Sequence, residues 1–442
     1  MADFVPHTDA EVAAMLASIG LSSLEELFAV VPPALRLAGG LDLEPGRSEP
    51  DVADVLESLA ARNRVGAALL CFAGGGAYDH EVPAAVRRVA SRSEFVTAYT
   101  PYQPEVSQGV LQALFEYQTM VARLAGLAVA NASLYDGATA LVEAVNLAAA
   151  ATGRSAVWVS RGVNPAWRQV VRTLAAGTGH QPVELPLAGG VTDLGPPPGP
   201  PPAAVVVQHP NYLGCLEDLA AARRLADAHG ALLVVAFDPV AAGLLVSPGS
   251  LGADVVVGEG QPFGTPLSFG GPFLGLFTCR LEHVRRLPGR LVGETVDTAG
   301  RRAYVTTLRA REQDIRRERA SSNVCTNQTL VAVCCALQLA WLGTGGLREL
   351  ALRGARATRY TRQALLAVDG VTPLAAAPVL REFAVLPPVP ATTVVDRMAD
   401  EGFLAGIALG EEYGGGLLVA VTERRTRAEI EAYASAFAKV TR

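Results

Sequence analysis

The spacing of apolar residues divides this chain into three stretches. In the first, apolar positions recur at helical intervals (Val12, Met15, Leu16, Ile19; then Leu24, Leu27, Phe28). Each set follows a capping-box signature, Thr8 with Glu11 and Ser22 with Glu25, and Pro32-Pro33 ends the second. This predicts an N-terminal helical arm over residues 1–65, too small to bury a core of its own. From 66 to 330 short runs apolar on both faces (SAVWVS, AAVVVQHP, ALLVVAFDP, ADVVVGE) alternate with segments of helical period such as PEVSQGVLQALFEYQTMVARLAGL, DGATALVEAVNLAAAATG and EDLAAARRLADAHG. A strand without a polar face belongs in a sheet covered on both sides, so the pattern predicts a large α/β domain: a mostly parallel sheet flanked by helices. Beyond the long apolar helix in NVCTNQTLVAVCCALQLAWLG, Arg-rich helices and short strands (REFAVL, GGLLVAVT) read as a smaller C-terminal α+β domain over 331–442.

Composition narrows the function classes. The 442 residues carry a net charge of -6, and no basic stretch interleaves with aromatics, which argues against nucleic acid as a partner. No charged N-terminal region precedes an apolar core, and no uninterrupted apolar run reaches the length of a membrane span, so no membrane association and a cytoplasmic location are expected. The six cysteines and six histidines are dispersed without metal-ligand spacing, so no metal site is expected. Of 37 basic residues only Lys439 is a lysine.

Four stretches carry a resemblance. AYTPYQPEVSQGVLQALFEYQTMVARLAGL (98–127), NASLYDGATAL (131–141), GADVVVGEGQPFGTPLSFGGPFLG and REQDIRRERASSNVCTNQ (311–328) resemble the glycine cleavage system P-protein family, as do the PHT opening and PNYLG. The resemblance spans nearly the whole chain. It implies a fold of the pyridoxal phosphate (PLP)-dependent transferase type, fold type I, and the activity of glycine dehydrogenase (decarboxylating). In that family the polypeptide has two homologous halves or is split into two subunits, and only the second anchors the cofactor on a lysine. Here the lysine position, near Pro262, reads Gln261-Pro262. The resemblance therefore implies a first, non-anchoring subunit paired with a lysine-bearing subunit 2 as α2β2. Glycine would be decarboxylated on the partner's PLP and the aminomethyl group passed to the lipoamide of H-protein.

The missing amine carries weight without the resemblance. Holding an aldehyde cofactor as a Schiff base and releasing it to substrate requires a primary amine, which proline lacks. Lys439, at the end of a terminal helix, reads as a solvated residue. No catalytic residue is therefore expected in this chain alone. Asp238, at a strand end, has the position of an aspartate that pairs with the pyridine nitrogen, and DGATAL has that of a phosphate-cradling helix start or of a helix capped by Asp136. Active sites of this fold lie at subunit interfaces, so Tyr99, Thr100, Tyr102 and Gln103 are candidates to reach a partner's site. Ser322, Asn323 and Thr326 are candidates to contact the cofactor phosphate across the interface, or to cap the helix that follows. The neighbouring arginines (Arg309, Arg311, Arg316, Arg317, Arg319) read as a solvated, ion-paired helix face or a docking patch for an acidic carrier. AGGGAYDHE lacks G-x-G-x-x-G spacing and reads as a flexible connection. The alternative to the subunit reading is a stand-alone pseudoenzyme of the PLP fold with a regulatory or binding role.

Overall fold

The computed structural model describes residues 6–37, 39, 41–64, 69–197 and 199–442. They form two units, Met1–Arg64 and Val65–Arg442. In the first, helix α1 (Asp9–Ser18) starts with the expected capping box: Thr8 Oγ1 accepts from the Glu11 amide (3.3 Å) and Glu11 accepts from the Thr8 amide (2.7 Å). The second expected box does not form. Ser22 pairs with Glu26 rather than Glu25, and the segment tightens into a 3-10 turn, Leu24–Phe28. Helix α2 (Glu49–Ala60) is capped by Ser48. Leu16 is the one buried residue among the described residues of this unit.

The second unit is built on a seven-stranded sheet. Its strands are β1 (Val129–Ala130), β2 (Ala156–Ser160), β3 (Gln181–Leu185), β4 (Ala204–His209), β5 (Leu232–Phe237), β6 (Val255–Glu259) and β7 (Gly275–Cys279). They lie in the order β1-β7-β6-β5-β4-β2-β3, parallel from β6 to β3, with β7 antiparallel to both its neighbours. The period of two that defines a strand sorts side chains to opposite faces. Leu233, Val235 and Phe237 join one core with helices α3 (Pro104–Ala125), α6 (Leu219–Ala228) and the start of α7 (Thr329–Leu366); Leu232, Val234 and Ala236 join the other with α4 (Gly137–Thr152) and α5 (Pro165–Thr178). Between β7 and α7 an unforeseen antiparallel hairpin, β8 (Val292–Val296) and β9 (Arg302–Thr306), packs Val292 and Tyr304 against α3's side of the sheet.

Helix α7 is long and apolar enough, by length and composition, to cross a membrane. Its apolar face is instead core: Val331, Ala332, Cys335, Ala336 and Leu339 pack under the sheet, and Gly343 breaks its helical geometry. The C-terminal layer is a four-stranded antiparallel sheet, β10 (Thr372–Pro373), β11 (Glu382–Leu386), β13 (Leu417–Ala420) and β12 (Ile407–Ala408) in that order, with helices α8 (Ala391–Asp400) and α9 (Arg427–Val440) sharing its core. The chain before α3 joins this layer. Leu70–Cys71 pairs in parallel with Phe403–Leu404, and Phe72 stacks on Tyr433 at 4.0 Å.

Candidate functional site

Parallel strands end in a common crevice at their carboxyl edge, the usual binding position in open α/β sheets. Here the ends of β4, β5 and β6 supply Pro210, Asp238, Glu259 and Pro262, the N-cap and first turn of α5 supply Asn164 and Trp167, and β11 with its lead-in supplies Arg381 and Glu382. The strap Gly75–His80 closes the crevice. It is no flexible connection: the Gly75 amide donates to Glu382 (2.6 Å) and the Tyr78 amide to Gln261 (2.9 Å), so the strap is tied to both layers.

Each place that would receive a part of the cofactor holds a side chain of the protein. Asp238 forms a 2.8 Å ion pair with Arg381, which is 6% exposed. The guanidinium lies 3.5 Å from the centre of the Tyr78 ring and donates from Nη1 to His80 Nε2 at 2.6 Å. Arginine can only donate, so Nε2 accepts and the imidazole proton sits on Nδ1, facing Glu423 at 2.6 Å. Beside this chain Glu382 accepts from the Tyr78 hydroxyl at 2.6 Å. Burial pushes Glu382 above the usual carboxylate range even though Arg381 pulls it down, and burial carries the Tyr78 phenol well above its ordinary value.

The start of α4 is filled in the same way. Asp136 caps it by accepting from the Thr139 amide at 2.7 Å. The free amide of Gly137 goes to Glu259 (2.9 Å), whose carboxylate also accepts from the amides of Gln261 (2.9 Å) and Leu274 (2.8 Å). Three backbone donors from three segments form an anion nest with an internal carboxylate in it. Burial pushes Glu259 up to about 8 against those amides. The Trp167 ring covers the same turn, 2.2 Å from where a Cβ on Gly137 would stand, so only glycine fits there. At the lysine position Pro262 borders the crevice. The Gln261 side chain is fully buried, donating to the carbonyls of Tyr78 (3.0 Å) and Thr265 (2.8 Å). The remaining cavity is about 40 Å³, room for roughly three waters. Lys439 stands on the surface in a 2.7 Å pair with Glu401. Pyridoxal phosphate does not fit this chain: the amine is absent, a cation holds the aspartate and a carboxylate holds the nest. Sequence reasoning singled out Asp238 and the Gln261-Pro262 position but missed Arg381, Glu259 and the contacts of Gln261 to the strap, because Asp238, Gly137 and Tyr78 lie far from them in sequence.

The two candidate stretches form a second cluster. Tyr102 donates its hydroxyl to Asn327 (3.0 Å) under the guanidinium of Arg290, 4.5 Å from the ring centre. Asn327 in turn donates to the Ala132 carbonyl (2.8 Å), and the Gln328 amide to Ser133 Oγ (3.0 Å). The stretches 99–103 and 322–328 are thus joined through the loop that leads into α4. Tyr99 is 73% exposed, and Thr100, Gln103 and Asn323 are exposed as well. Ser322 accepts from the Val324 amide (3.1 Å), and Thr326 is half-buried. None of Ser322, Asn323 and Thr326 caps α7, whose N-cap position is Gln328 with no side-chain bond. Asn327 was overlooked although it sits in the same motif; only its burial distinguishes it from its neighbours.

The glycine cleavage system P-protein family model matches residues 2–437. The chain belongs to that family. A probable glycine dehydrogenase (decarboxylating) subunit 1 from Prosthecochloris aestuarii is 48% identical over 97% of this chain and 98% of its own length. The protein of the same description from Moorella thermoacetica is 47% identical over 98% of each. A crystal structure of glycine decarboxylase (P-protein) of the glycine cleavage system, in inhibitor-bound form, superposes with a TM-score of 0.91 at 47% identity, covering 99% of this chain and 100% of that one. A cysteine desulfurase from Thermococcus onnurineus shares the fold alone, with a TM-score of 0.60 at 16% identity over 90% of this chain and 99% of that one. The chain is therefore part of a glycine cleavage enzyme on a PLP fold type I scaffold, and the description of its relatives as subunit 1 implies a second subunit.

Proposed function

We propose that this chain is the subunit that does not anchor the cofactor, and that it works in the cytoplasm as half of an α2β2 enzyme whose lysine-bearing subunit 2 holds pyridoxal phosphate. The observation that carries this reading is the buried Arg381–Asp238 pair beside Pro262: a cation made permanent by the fold stands where a pyridine nitrogen would. The partner's cofactor supplies the electron sink for loss of CO2 from glycine, and the aminomethyl group passes to the lipoamide of H-protein. The contribution of this chain is positional. Tyr102, fixed by Asn327 and Arg290, orients the loop carrying Tyr99, Thr100 and Gln103, whose exposed side chains face the partner's substrate site. Ser322, Asn323 and Thr326 lie on the adjoining loop and contact the cofactor phosphate across the interface. Rigid aromatic groups suit this task because little conformational entropy is lost when the second chain docks.

Co-expression with a lysine-bearing homologue from the same genome tests the reading. A stable complex with glycine-dependent CO2 exchange is expected, with neither chain active alone. Replacing Gln103 by alanine in that complex should raise KM or lower kcat while leaving the assembly intact. Exchange activity by this chain alone, or covalent attachment of pyridoxal phosphate to it, would refute the proposal.

A further inference from the structure

Two surface segments converge on one basin. The turn Leu281–Arg286 supplies Arg285 and Arg286; the segment 309–321, which forms short turns rather than the helix face expected, supplies Arg311, Arg316, Arg319 and Ser321. The cavity between them measures about 550 Å³, a size within the range of small-molecule sites, and no carboxylate among the described residues lines it. Counter-charges among the described residues are few: Arg316 spends its Nε on the Ala310 carbonyl (3.0 Å), and Arg319 faces the exposed Glu318 at 3.9 Å. In a chain of net charge -6, five guanidiniums around one hollow are a local reversal of sign.

Arg311 is the second observation. It lines both the basin and a pit of about 10 Å³ beside it, bounded also by Arg290, Glu312, Ser321 and Ser322, where the buried Glu312 carboxylate is paired with Arg290 rather than with Arg311. Nη1 donates to the Leu287 carbonyl, while Nε and Nη2 are buried with no acceptor among the described residues. Leaving such buried donors unpaired is unfavourable, and Nε with Nη2 is the edge by which a guanidinium grips an oxyanion in two parallel bonds. Burial and the neighbouring Arg290 lower the Arg311 pKa to about 10, a value at which it is still charged near neutral pH.

We infer that this basin is a binding site for a compact, multiply charged oxyanion carrying a phosphoryl or pyrophosphoryl group, held on Arg311 and enclosed by Arg285, Arg286 and Arg319. A multivalent anion is favoured over a monocarboxylate because several cations converge on a concave space. The site is assembled from this chain's own side chains and does not depend on the reading of the partner's chemistry. The phosphoryl group has two sources, a free small molecule or a group borne by the second subunit, and the experiment separates them.

Inorganic pyrophosphate is titrated calorimetrically into the full chain, with sodium chloride matching ionic strength throughout, and the titration is repeated on the complex with the lysine-bearing homologue. Saturable binding of one anion per chain is expected, weakened more than about tenfold in Arg286→Ala/Arg319→Ala and in Arg311→Lys, and unchanged in Arg356→Ala on another surface. Binding to both preparations indicates a free ligand; binding to the isolated chain that the loaded complex blocks indicates a phosphoryl group of the second subunit. No saturable heat at millimolar pyrophosphate, or equal affinity in the basin variants and Arg356→Ala, would overturn the inference. So would a complex with cofactor-free homologue that excludes pyrophosphate, since the basin would then be a protein contact. Arg286 and Arg319 are exposed, so the double variant tests binding without endangering the fold.

Discussion

At Glu259 and Arg381, single side chains take positions that a cofactor's charged groups would otherwise claim. Glu259 has a folded-state pKa, about 8, above its reference value of 4.5. A group shifted upward contributes stability fully below its unfolded pKa and loses it as pH rises through the folded one. The contribution of Glu259 to stability should therefore fall between about pH 4.5 and 8, so Glu259→Gln should remove that downward component from the pH dependence in urea titrations at several pH values, on which the buried His209, lowered to about 4, acts with the opposite sign. Glu143, pushed by burial to about 7, adds a slope of the same sign as Glu259 that remains in the variant. Arg381 holds Asp238 and His80 together in a buried site. Arg381→Met strands an unpaired carboxylate and should cost about 3–5 kcal/mol in chemical denaturation. Adding Asp238→Asn should restore part of the loss, because the penalty lies in the unpaired charge; strict additivity of the two changes would contradict the pairing.

Between strand and helix, the loop after β6 has been rebuilt as a structural clasp. Gln261 ties it to the strap at Tyr78, and the Gly264 amide donates to Gln338 of α7 at 2.6 Å. Gly264 has φ +87, and a Cβ there would stand 2.6 Å from the Cys334 backbone, so loop and helix pack at a distance only glycine allows. With the clasp, the nest and the aspartate's place all satisfied internally, an amine alone does not recreate a cofactor site. Pro262→Lys incubated with pyridoxal phosphate is expected to stay colourless after desalting; a yellow, borohydride-reducible adduct at that lysine would show that the other fillings yield.

Across the whole molecule, stability is unevenly distributed. Two cores flank the central sheet and a third fills the C-terminal layer, whereas the described residues of the first 64 bury only Leu16. Helices of 10 and 12 residues are marginal in water without tertiary packing, even when well capped. A peptide of residues 1–64 should therefore show weak helical circular dichroism and no cooperative thermal transition. A sharp transition would mean that the arm folds by itself.

Local pattern determined much of this protein. The doubly apolar runs became β2, β4, β5 and β6, Thr8 and Asp136 capped their helices, and four long motifs carried the family; each depends on residues within one or two turns of one another. The absent lysine was equally legible, because one position decides whether an amine exists. What fills the crevice was decided only by tertiary structure. Arg381 meets Asp238 across 143 positions of sequence and Glu259 meets Gly137 across 122, and no local period records such pairings. The strap at Gly75–His80 shows the same division. Its glycines suggested mobility because chain flexibility is a local property, yet it is held by Glu382, Gln261 and Glu423, which only the folded sheet brings to it.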